Sequence, residues 1–320
     1  MARRDGAKNE ARAKSQGGAR TRSVNHDGAA PQRSDSAARS KRRRLAAGLY
    51  LVATPIGNAA DITLHALEVL AAADVVACED TRVTGKLLAI HGVRASLTPY
   101  HEHNARHARP QLIARIARGE AVALAADAGT PLISDPGYKL VAEAVARGLA
   151  VTTVPGASAP LAALTVSGLP TDRFLFAGFL PPRKAARQKA LAEIAAVRAT
   201  LVVFESPRRL AAALADMADV LGARPAAVAR ELTKRFEEVR RGSLADLARH
   251  YGDAGAPKGE IVVVVGPPEA AETDAEDVDA RLRAALATQS VRDAATAVAA
   301  ATGLSRRKLY ARALALAGGR

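Results

Sequence analysis

The 320-residue chain has little of what marks several protein classes. Its one cysteine, Cys78, excludes an intramolecular disulfide framework and a four-cysteine zinc site, and it fits a reducing compartment. No apolar run approaches the roughly 20 residues of a membrane-spanning helix, so we expect a soluble, cytoplasmic protein. The hydrophobic fraction of 49% excludes wholesale disorder.

Three common fingerprints are also missing. No G-x-G-x-x-G follows the first predicted strand, so the ordinary dinucleotide-binding motif is absent. No G-x-x-x-x-G-K-[ST] occurs, which argues against a P-loop, and no G-x-S-x-G elbow indicates a hydrolase. Any catalytic site must therefore be built from other residues.

Positive charge is in excess and is concentrated at the amino terminus. The net charge is +14, and residues 1–47 hold 13 Lys and Arg against 4 Asp and Glu, a net of +9. These residues include almost no large apolar side chain, so we predict a disordered tail without a secretory signal. The charge indicates a polyanionic partner, nucleic acid first, although a solubilising tail explains it equally well.

Short apolar runs alternate with helical stretches from Gly48 onward, which predicts an α/β fold with mainly parallel strands. Asp61 is expected to cap the first helix, and a helix is expected over residues 187–197. Gly168 and Pro170 interrupt the pattern, which divides the chain into α/β domains over residues 48–166 and 167–270. The predicted strands cover residues 49–53, 74–78, 121–126, 149–154, 173–180, 201–204, 226–230 and 261–265.

Unusual polar and Gly/Pro-rich sequences follow the predicted strands repeatedly. In open α/β sheets, ligands bind beyond the carboxyl ends of the strands. Turn formation alone explains Pro155-Gly156 well, but it does not call for the acidic pair and arginine of Glu79-Asp80-Thr81-Arg82. We therefore expect a ligand cleft at these strand ends.

Two features have weaker functional interpretations. His101, His103 and His107 cluster with Glu102 but lack H-E-x-x-H spacing, so a metal site is the minority interpretation. A loop that binds phosphate or ribose, or a solvated polar loop, accounts for them equally well. Cys78 is more typical of a small strand residue than of a nucleophile.

The carboxyl-terminal segment, residues 275–320, is predicted to be helical after an acidic linker over residues 269–277. Val291, Ala294, Ala295, Val298 and Ala299 lie on one helical face. A final helix capped by Ser305 places basic side chains opposite an apolar face, which is similar to a helix-turn-helix. A stabilising appendage with a solvated basic face is the alternative. The basic side chains are Arg306, Arg307, Lys308 and Arg312, and the apolar face holds Leu309, Ala313 and Leu316.

The ordered set of motifs resembles a known family. Over about residues 48–268 the chain is similar to the bacterial small-subunit ribosomal RNA cytidine 2′-O-methyltransferases of the tetrapyrrole methylase superfamily, and the helical segment is similar too. The basic tail has no counterpart in the family core, and the first loop is less glycine-rich than in tetrapyrrole enzymes. The motifs are Thr54-Pro55-Ile56-Gly57-Asn58, Cys78-Glu79-Asp80-Thr81-Arg82, residues 127–137 (DAGTPLISDPG), Pro155-Gly156-Ala157-Ser158-Ala159, residues 204–209, residues 229–234 and Lys258-Gly259-Glu260.

The resemblance implies S-adenosyl-L-methionine bound between two α/β domains, and methylation of a cytidine ribose in the decoding region of 16S ribosomal RNA. Ribosomal RNA or the small subunit would be the partner, and a homodimer is implied as well. The implied cofactor-binding residues are Pro55, Gly57, Asp127, Gly129, Thr130, Pro131, Ser158, Lys258, Gly259 and Glu260.

Methyl transfer to a hydroxyl needs alignment and an acceptor for the proton, and it needs no metal. Glu79 and Asp80 are the candidate catalytic acids, and Glu205 is the further candidate. Capping by Asp80, or an ion pair with Arg82, is the structural alternative. Arg82, Arg208 and Arg209 are the candidate RNA-phosphate ligands.

Two other functions remain open from the sequence. A methyltransferase that acts on a tetrapyrrole or another small molecule would share the same strand-end motifs. A non-catalytic nucleic-acid-binding protein would share the basic tail and the last helix, but phosphate binding does not require the strand-end motifs. Cofactor binding without RNA separates an enzyme from a binding module, and the methylated product separates the two enzymes.

Overall fold

Ten strands and eleven α-helices make up the described part of the chain. The computed structural model describes residues 45–268, 275–302 and 304–318. Most of the predicted basic tail, residues 1–44, and most of the acidic linker, residues 269–274, lie outside the described residues. Within the described residues, no helix is long and apolar enough to cross a membrane.

The first sheet is wholly parallel, with the strand order β3-β2-β4-β1-β5. Apolar runs such as VVAC and AVALA bury both faces, which is typical of parallel sheets covered by helices on each side. Its elements are β1 (Gly48–Val52), α1 (Leu64–Ala72), β2 (Val75–Cys78), α2 (Thr81–Ile90), β3 (Leu97–Pro99), α3 (Ala105–Ala117), β4 (Ala121–Ala125), α4 (Tyr138–Ala146) and β5 (Val151–Val154).

Alternate residues of these strands pack on opposite helices, as the two-residue period requires. Val122 and Leu124 pack with residues of α3 and α4, whereas Ala123 and Ala125 pack with residues of α1 and α2. The sheet is therefore a buried layer, and its helices leave the strand ends free to form loops.

One predicted helix cap was wrong. Thr63, not Asp61, caps α1, because its hydroxyl accepts a hydrogen bond from Ala66 N at 3.0 Å. Asp61 ends a short 3-10 turn over Ala59–Asp61, which Asn58 caps through Ala60 N. The turn places the helix start two residues later than the sequence pattern indicates.

The second sheet is mixed, a topology that the sequence pattern did not predict. The strand order is β6-β7-β10-β8-β9, in which β6 and β7 are a parallel pair of neighbours and the other three pairs are antiparallel. The last strand inserts between two earlier ones and runs against both. The elements are β6 (Phe174–Phe179), α6 (Lys184–Ile194), β7 (Thr200–Glu205), α7 (Leu210–Leu221), β8 (Pro225–Arg230), β9 (Glu238–Ser243), α8 (Leu244–Ala254) and β10 (Ile261–Val265).

Helix α5 (Ala159–Ser167) connects the two sheets and packs on the second one. Its Ala163 and Leu164 are buried with Val202, Ala227 and Val264 of the second sheet. Ile56, from the loop after β1, joins the same cluster. The predicted domain boundary between residues 166 and 167 thus lies in the last turn of a helix that packs with the second half. The two-domain division itself stays a prediction.

Three carboxyl-terminal helices form a separate small core. They are α9 (Ala275–Leu286), α10 (Val291–Thr302) and α11 (Arg306–Gly318). Ala295 and Val298 of the predicted amphipathic face are buried against Leu309 and Ala313, which confirms that face. A two-pronged ion pair joins Arg312 to Asp279, with N···O distances of 2.8 and 2.5 Å.

Candidate active site

A cavity of about 460 Å³ lies where the two sheets meet. The loops after β4 and β5 line it from the first sheet, and the ends of β7 and β8 line it from the second. Because β10 is antiparallel to β7 and β8, its first residue Ile261 pairs with Glu205 and Arg230 at the same edge. The predicted convergence of strand ends on one cleft therefore describes this cavity.

The long loop after β4 has an unusual backbone. Gly129, Leu132, Ser134 and Gly137 all have positive φ, between 65° and 139°. Gly129 exchanges two backbone hydrogen bonds with Thr54, at 2.9 and 3.0 Å, which ties this loop to the loop after β1. Left-handed backbone at non-glycine residues carries strain and concentrates at functional sites. The described ranges contain four non-glycine residues with left-handed backbone, and all four lie in two loops that border the cavity, this one and residues 231–237. They are Leu132, Ser134, Glu231 and Thr233.

Three carboxyl groups, those of Glu79, Asp127 and Asp135, lie near one another beyond the strand ends of the first sheet, and Asp127 and Asp135 line the cavity. Asp135 lines the cavity and also a small recess beside it, which Glu79 and Tyr100 share. Burial raises the pKa of Asp135 from 3.8 to about 6, and the negative charges of Glu79 and Asp127 contribute to the rise. A half-buried carboxyl with a pKa near neutrality is suited to accept a proton.

Asp80 has a different environment from these three. It caps α2 through Arg82 N at 2.8 Å, and its carboxylate holds the Arg82 side chain with N···O distances of 2.6 to 3.2 Å. The hydrogen bonds from Arg82 lower the pKa of Asp80 to about 2. Asp80 does not line the cavity, and a carboxylate held this way is a weak base. The structural alternative, a cap and an anchor for Arg82, accounts for all of these contacts.

Glu205 lies on the opposite wall, at the end of β7. Its side chain is fully buried, and Oε1 accepts a hydrogen bond from Ser206 N and forms an ion pair with Arg209 Nη2, both at 2.7 Å. Its Oε2 has no hydrogen-bond partner among the described residues. Around it, the second sheet contributes mostly apolar side chains to the cavity, namely Phe179, Phe204, Ala229, Leu232, Ile261 and Val262.

A hydrogen-bonded loop closes one end of the cavity. Lys234 Nζ bridges Glu231 and Glu260 at 2.8 and 2.9 Å, and Glu231 Oε1 accepts from Glu260 N at 3.0 Å. Glu231 fills the space beside Gly259, where a Cβ would come within 2.3 Å of its Cγ. Thr233 Oγ1 accepts from Asn58 N at 3.0 Å, so this loop also joins the two halves.

Most, but not all, of the residues implied to hold the cofactor line this cavity. Those that do are Asp127, Gly129, Thr130, Ser158, Gly259 and Glu260. Pro55, Gly57, Pro131 and Lys258 do not. Gly57 instead faces the 231–237 loop, where a Cβ would lie 2.4 Å from Lys234 Cγ. The structure thus gives Gly57 a role in the contact between the halves, and the cofactor roles themselves stay predictions.

The three arginines that are candidates for binding RNA phosphates differ in exposure and in their partners within the chain. The side chain of Arg82 is 89% exposed although Asp80 holds it, and Arg208 is exposed. Arg209 points inward to Glu205 and donates a hydrogen bond to Ser206 Oγ at 3.0 Å. Arg82 and Arg208 are therefore exposed to solvent, whereas Arg209 has an internal partner, and the RNA-binding roles stay predictions.

The site also contains residues that the sequence reasoning did not select. Asp135 stands in the motif of residues 127–137, but nothing in the sequence shows that it is buried beside two carboxylates. Phe179 and Phe204 form an aromatic contact at the cavity wall, with ring centroids 5.3 Å apart. Both phenylalanines lie at the ends of predicted strands. That position could have identified them from the sequence, because the other candidate site residues were chosen for following predicted strands.

The histidine cluster and the cysteine are not among the residues that line the cavity. His101 and His103 have ring centroids 6.0 Å apart, and no group of three or more metal-binding side chains is present in residues 45–268, 275–302 and 304–318. Cys78 is buried in β2, and burial raises the pKa of its thiol, so it is unsuited to act as a nucleophile.

Comparison with known structures supports the fold assignment. The chain is similar to a cobalamin biosynthetic enzyme, cobalt precorrin-4 methyltransferase, with a TM-score of 0.53 and 19% identity, over 68% of this chain and 94% of the other. It is also similar to uroporphyrin-III C-methyltransferase from Thermus thermophilus, with a TM-score of 0.51 and 25% identity, over 69% and 94%.

Comparison of sequences gives the family. Residues 48–248 match the model of the Tetrapyrrole (Corrin/Porphyrin) Methylases, and residues 272–317 match the RsmI C-terminal HTH domain. A protein of Mesorhizobium japonicum named ribosomal RNA small subunit methyltransferase I is 57% identical over 86% of this chain and 94% of its own length. A Pseudomonas aeruginosa protein of the same name is 44% identical over 83% and 96%. These matches confirm the resemblance of the motifs, and the chain belongs to the tetrapyrrole methylase family, in the group that carries this carboxyl-terminal domain.

Proposed function

We propose that the chain methylates the 2′-hydroxyl of a cytidine ribose in the decoding region of 16S ribosomal RNA, with S-adenosyl-L-methionine as methyl donor. The observation that carries the proposal is the 57% identity, over 86% of this chain and 94% of the relative, to a protein named ribosomal RNA small subunit methyltransferase I. The motifs that single out a cytidine 2′-O-methyltransferase support the finer substrate.

The cavity fits the methyl donor in size and in polarity. Its volume of about 460 Å³ lies within the roughly 300–1,000 Å³ of small-molecule sites. The polar wall of the first sheet, with Asp127, Thr130 and Ser158, suits the charged amino-acid part, and the apolar wall of the second suits a planar ring. The unpartnered Glu205 Oε2 is a further sign that a ligand with a donor belongs here. When bound, the sulfonium supplies an electrophilic methyl group.

Asp135 is the best placed acceptor for the ribose proton in this proposal. It borders the cavity, and its pKa of about 6 leaves it ionised at neutral pH yet basic enough to take a proton. Glu79 lies in the adjoining recess, and its charge keeps the Asp135 pKa high. Asp80 then positions Arg82 and the start of α2.

RNA, rather than a small molecule, is supported by side chains near the cavity that a tetrapyrrole would not need. Phe236 is 65% exposed on the 231–237 loop, and the guanidinium of Arg235 lies 5.5 Å from its ring centroid. Exposed aromatic rings and arginines are what unstacked RNA bases pack against. Arg82 and Arg208 would bind phosphates, and the basic tail would add electrostatic attraction.

The proposal extends to the partners and the compartment. Ribosomal RNA or the assembled small subunit is the substrate, and the cytoplasm is where such a substrate is found. A homodimer is proposed on the family resemblance. Exposed apolar side chains on the first sheet's helices, among them Leu64 at 80% and Tyr138 at 74%, are suited to such a contact.

Methyl incorporation by the purified protein tests this function. The protein is given S-adenosyl-L-methionine labelled in the methyl group, with naked 16S RNA, the small subunit, or uroporphyrinogen III as acceptor. We expect label only in RNA, and nuclease digestion should recover it as 2′-O-methylcytidine. Label in the tetrapyrrole and not in RNA would overturn the proposal, and binding of RNA without any label would point to a non-catalytic protein.

A further inference from the structure

Glu205 poses a problem that the contacts within the described chain do not solve. Its side chain is fully buried, yet Oε2 has no hydrogen-bond partner there. Buried polar atoms are almost always paired, because an unpaired one loses its interactions with water without replacement. The residue lines the cavity, so a bound molecule can supply the missing donor.

The other carboxylate oxygen is fully engaged, which fixes the orientation of the group. Oε1 accepts a hydrogen bond from Ser206 N and forms an ion pair with Arg209 Nη2, both at 2.7 Å, and Arg209 in turn donates a hydrogen bond to Ser206 Oγ. A carboxylate restrained in this way presents Oε2 in one direction. It is therefore a preorganised acceptor for a single N–H or O–H donor.

The surroundings of Glu205 indicate which donor. S-Adenosyl-L-methionine carries three kinds of donor, namely the α-ammonium, the ribose hydroxyls and the adenine 6-amino group. The apolar side chains near Glu205 on the second-sheet wall are Phe204, Ile261 and Val262, which suit the faces of an aromatic ring. The polar side chains on this wall already have partners within the chain, since Arg209 donates to Ser206 Oγ and Lys234 donates to Glu260. The other polar groups that suit an ammonium or a ribose lie on the first-sheet wall, at Asp127, Thr130, Ser134, Asp135 and Ser158.

We infer that Glu205 Oε2 accepts a hydrogen bond from the 6-amino group of the donor's adenine, and that Glu205 thereby selects adenine over purines with a 6-carbonyl. A carbonyl oxygen in that position would face the carboxylate without a proton between them. This inference rests on the methyl donor and not on the identity of the RNA substrate. It also gives Glu205 a role other than proton transfer, and Glu205 is not among the charges that shift the pKa of Asp135.

Binding of two product analogues tests the inference without any turnover. Calorimetry would compare S-adenosyl-L-homocysteine with S-inosyl-L-homocysteine, which has a carbonyl at position 6. We expect the unaltered protein to bind the adenosyl compound about 10- to 100-fold more tightly, the size of a hydrogen bond to a charged group. Equal affinity of the unaltered protein for the two would overturn the inference without reference to any variant.

Glu205→Gln assigns the discrimination to this residue. We expect the preference to fall to less than about threefold, because the amide can turn a donor toward the inosyl carbonyl. The matched control is Glu193→Gln, the same change at an exposed side chain of α6 that does not line the cavity. The control should keep the full preference, and thermal unfolding shows whether each variant is folded.

The remaining outcomes also decide the question. If Glu205→Gln weakens both analogues equally, Oε2 binds a ribose or ammonium group and the adenine assignment is wrong. If it changes neither affinity, the missing donor comes from the RNA or from elsewhere, and the assignment is again wrong. RNA methylation could fail in a separate assay while this preference stands, so the two proposals are tested independently.

Discussion

The carboxyl group of Asp135 is the single group on which the proposed chemistry depends most. Its environment combines partial burial with the charges of Glu79 and Asp127, and all three raise its pKa. The same environment makes the group costly in the folded protein at neutral pH. Removing the Asp135 charge should therefore slow methyl transfer but raise the free energy of unfolding. The opposite signs distinguish a functional role from a structural one.

Asp135→Asn should lower methyl transfer by about 10²- to 10⁴-fold, because the amide cannot accept the ribose proton. In the unaltered protein, kcat/KM should rise with pH through about 6 and then level off, as Asp135 ionises. Glu79→Gln removes one neighbouring charge and should move that inflection to lower pH with less loss of rate. A rate profile that is flat between about pH 5 and pH 8 in the unaltered protein would count against Asp135.

The same substitution should stabilise the fold above pH 6. The folded state binds the Asp135 proton more tightly than the unfolded chain, since the pKa rises from 3.8 to about 6. Below about pH 4 both states are protonated and the variant gains nothing. Above about pH 6 the folded state bears the cost of the charge, so the gain is fully present there. We expect about 1 kcal/mol in the free energy of unfolding, after discounting for solvent screening of a half-exposed group.

At the scale of elements, two strained loops define the site. The loop of residues 127–137 and the loop of residues 231–237 contain all the left-handed non-glycine residues in the described ranges, and both reach the cavity. One arises from the first sheet and the other from the second. Changes confined to either loop should alter binding while the sheets stay intact.

Gly129→Val tests the first loop. Gly129 has a φ of +81°, and its Cβ would meet Ile56 Cγ2 at 3.4 Å on the cavity wall. We expect S-adenosyl-L-homocysteine to bind at least about tenfold more weakly by calorimetry, because the side chain enters the wall. Gly148→Val is the matched control, since Gly148 has a φ of +67° with nothing within 4 Å of its Cβ. Both variants carry backbone strain. Equal affinities of the two variants for S-adenosyl-L-homocysteine would therefore refute the proposal that the Gly129 loop borders the donor-binding site.

Phe236→Ala tests the second loop as a surface for RNA. Loss of one stacked base should raise the KM for RNA by about tenfold, since such stacking is worth roughly 1–3 kcal/mol. The affinity for S-adenosyl-L-homocysteine should not change. Phe174→Ala is the control, because Phe174 is also exposed but starts β6, whereas Phe179 at the cavity ends it. If both variants keep the parental KM, Phe236 does not contact the RNA.

The elements that sequence reasoning found and missed differ in a physical way. The buried runs of β2, β4 and β10 were predicted closely, because short continuous apolar runs bounded by turn residues are typical of buried strands. The edge strand β9, with the sequence EVRRGS, was missed, since charged residues that protect an edge also resemble a loop. The mixed second sheet was missed because insertion of β10 between β7 and β8 is a long-range pairing without a local signal.

Within the site, the sequence located the loops better than the roles. Asp127, Gly129 and Thr130 were selected by motif, and all three line the cavity. Asp80 was selected as a catalytic acid, although its contacts are those of a cap and an ion pair. That distinction depends on which carboxylate is buried beside which charge, and only the packed structure provides that information.

At the scale of the whole molecule, two sheets of different topology bring their strand ends to one cavity. The loops after β1 and β8 join the halves through the hydrogen bond from Asn58 N to Thr233 Oγ1, while α5 connects them along the chain. A net charge of +14 adds long-range attraction to a polyanion. In the proposed function, the cavity holds the methyl donor and the net positive charge attracts the RNA.

Mapping 2′-O-methylation along the 16S ribosomal RNA of cells that lack the gene tests the proposed function most directly. We predict that one cytidine of the decoding region loses its ribose methyl group. The gene for the unaltered chain should restore it, whereas an equally abundant Asp135→Asn protein should restore little or none. A 16S RNA that is fully methylated in the cells without the gene would contradict the proposed function.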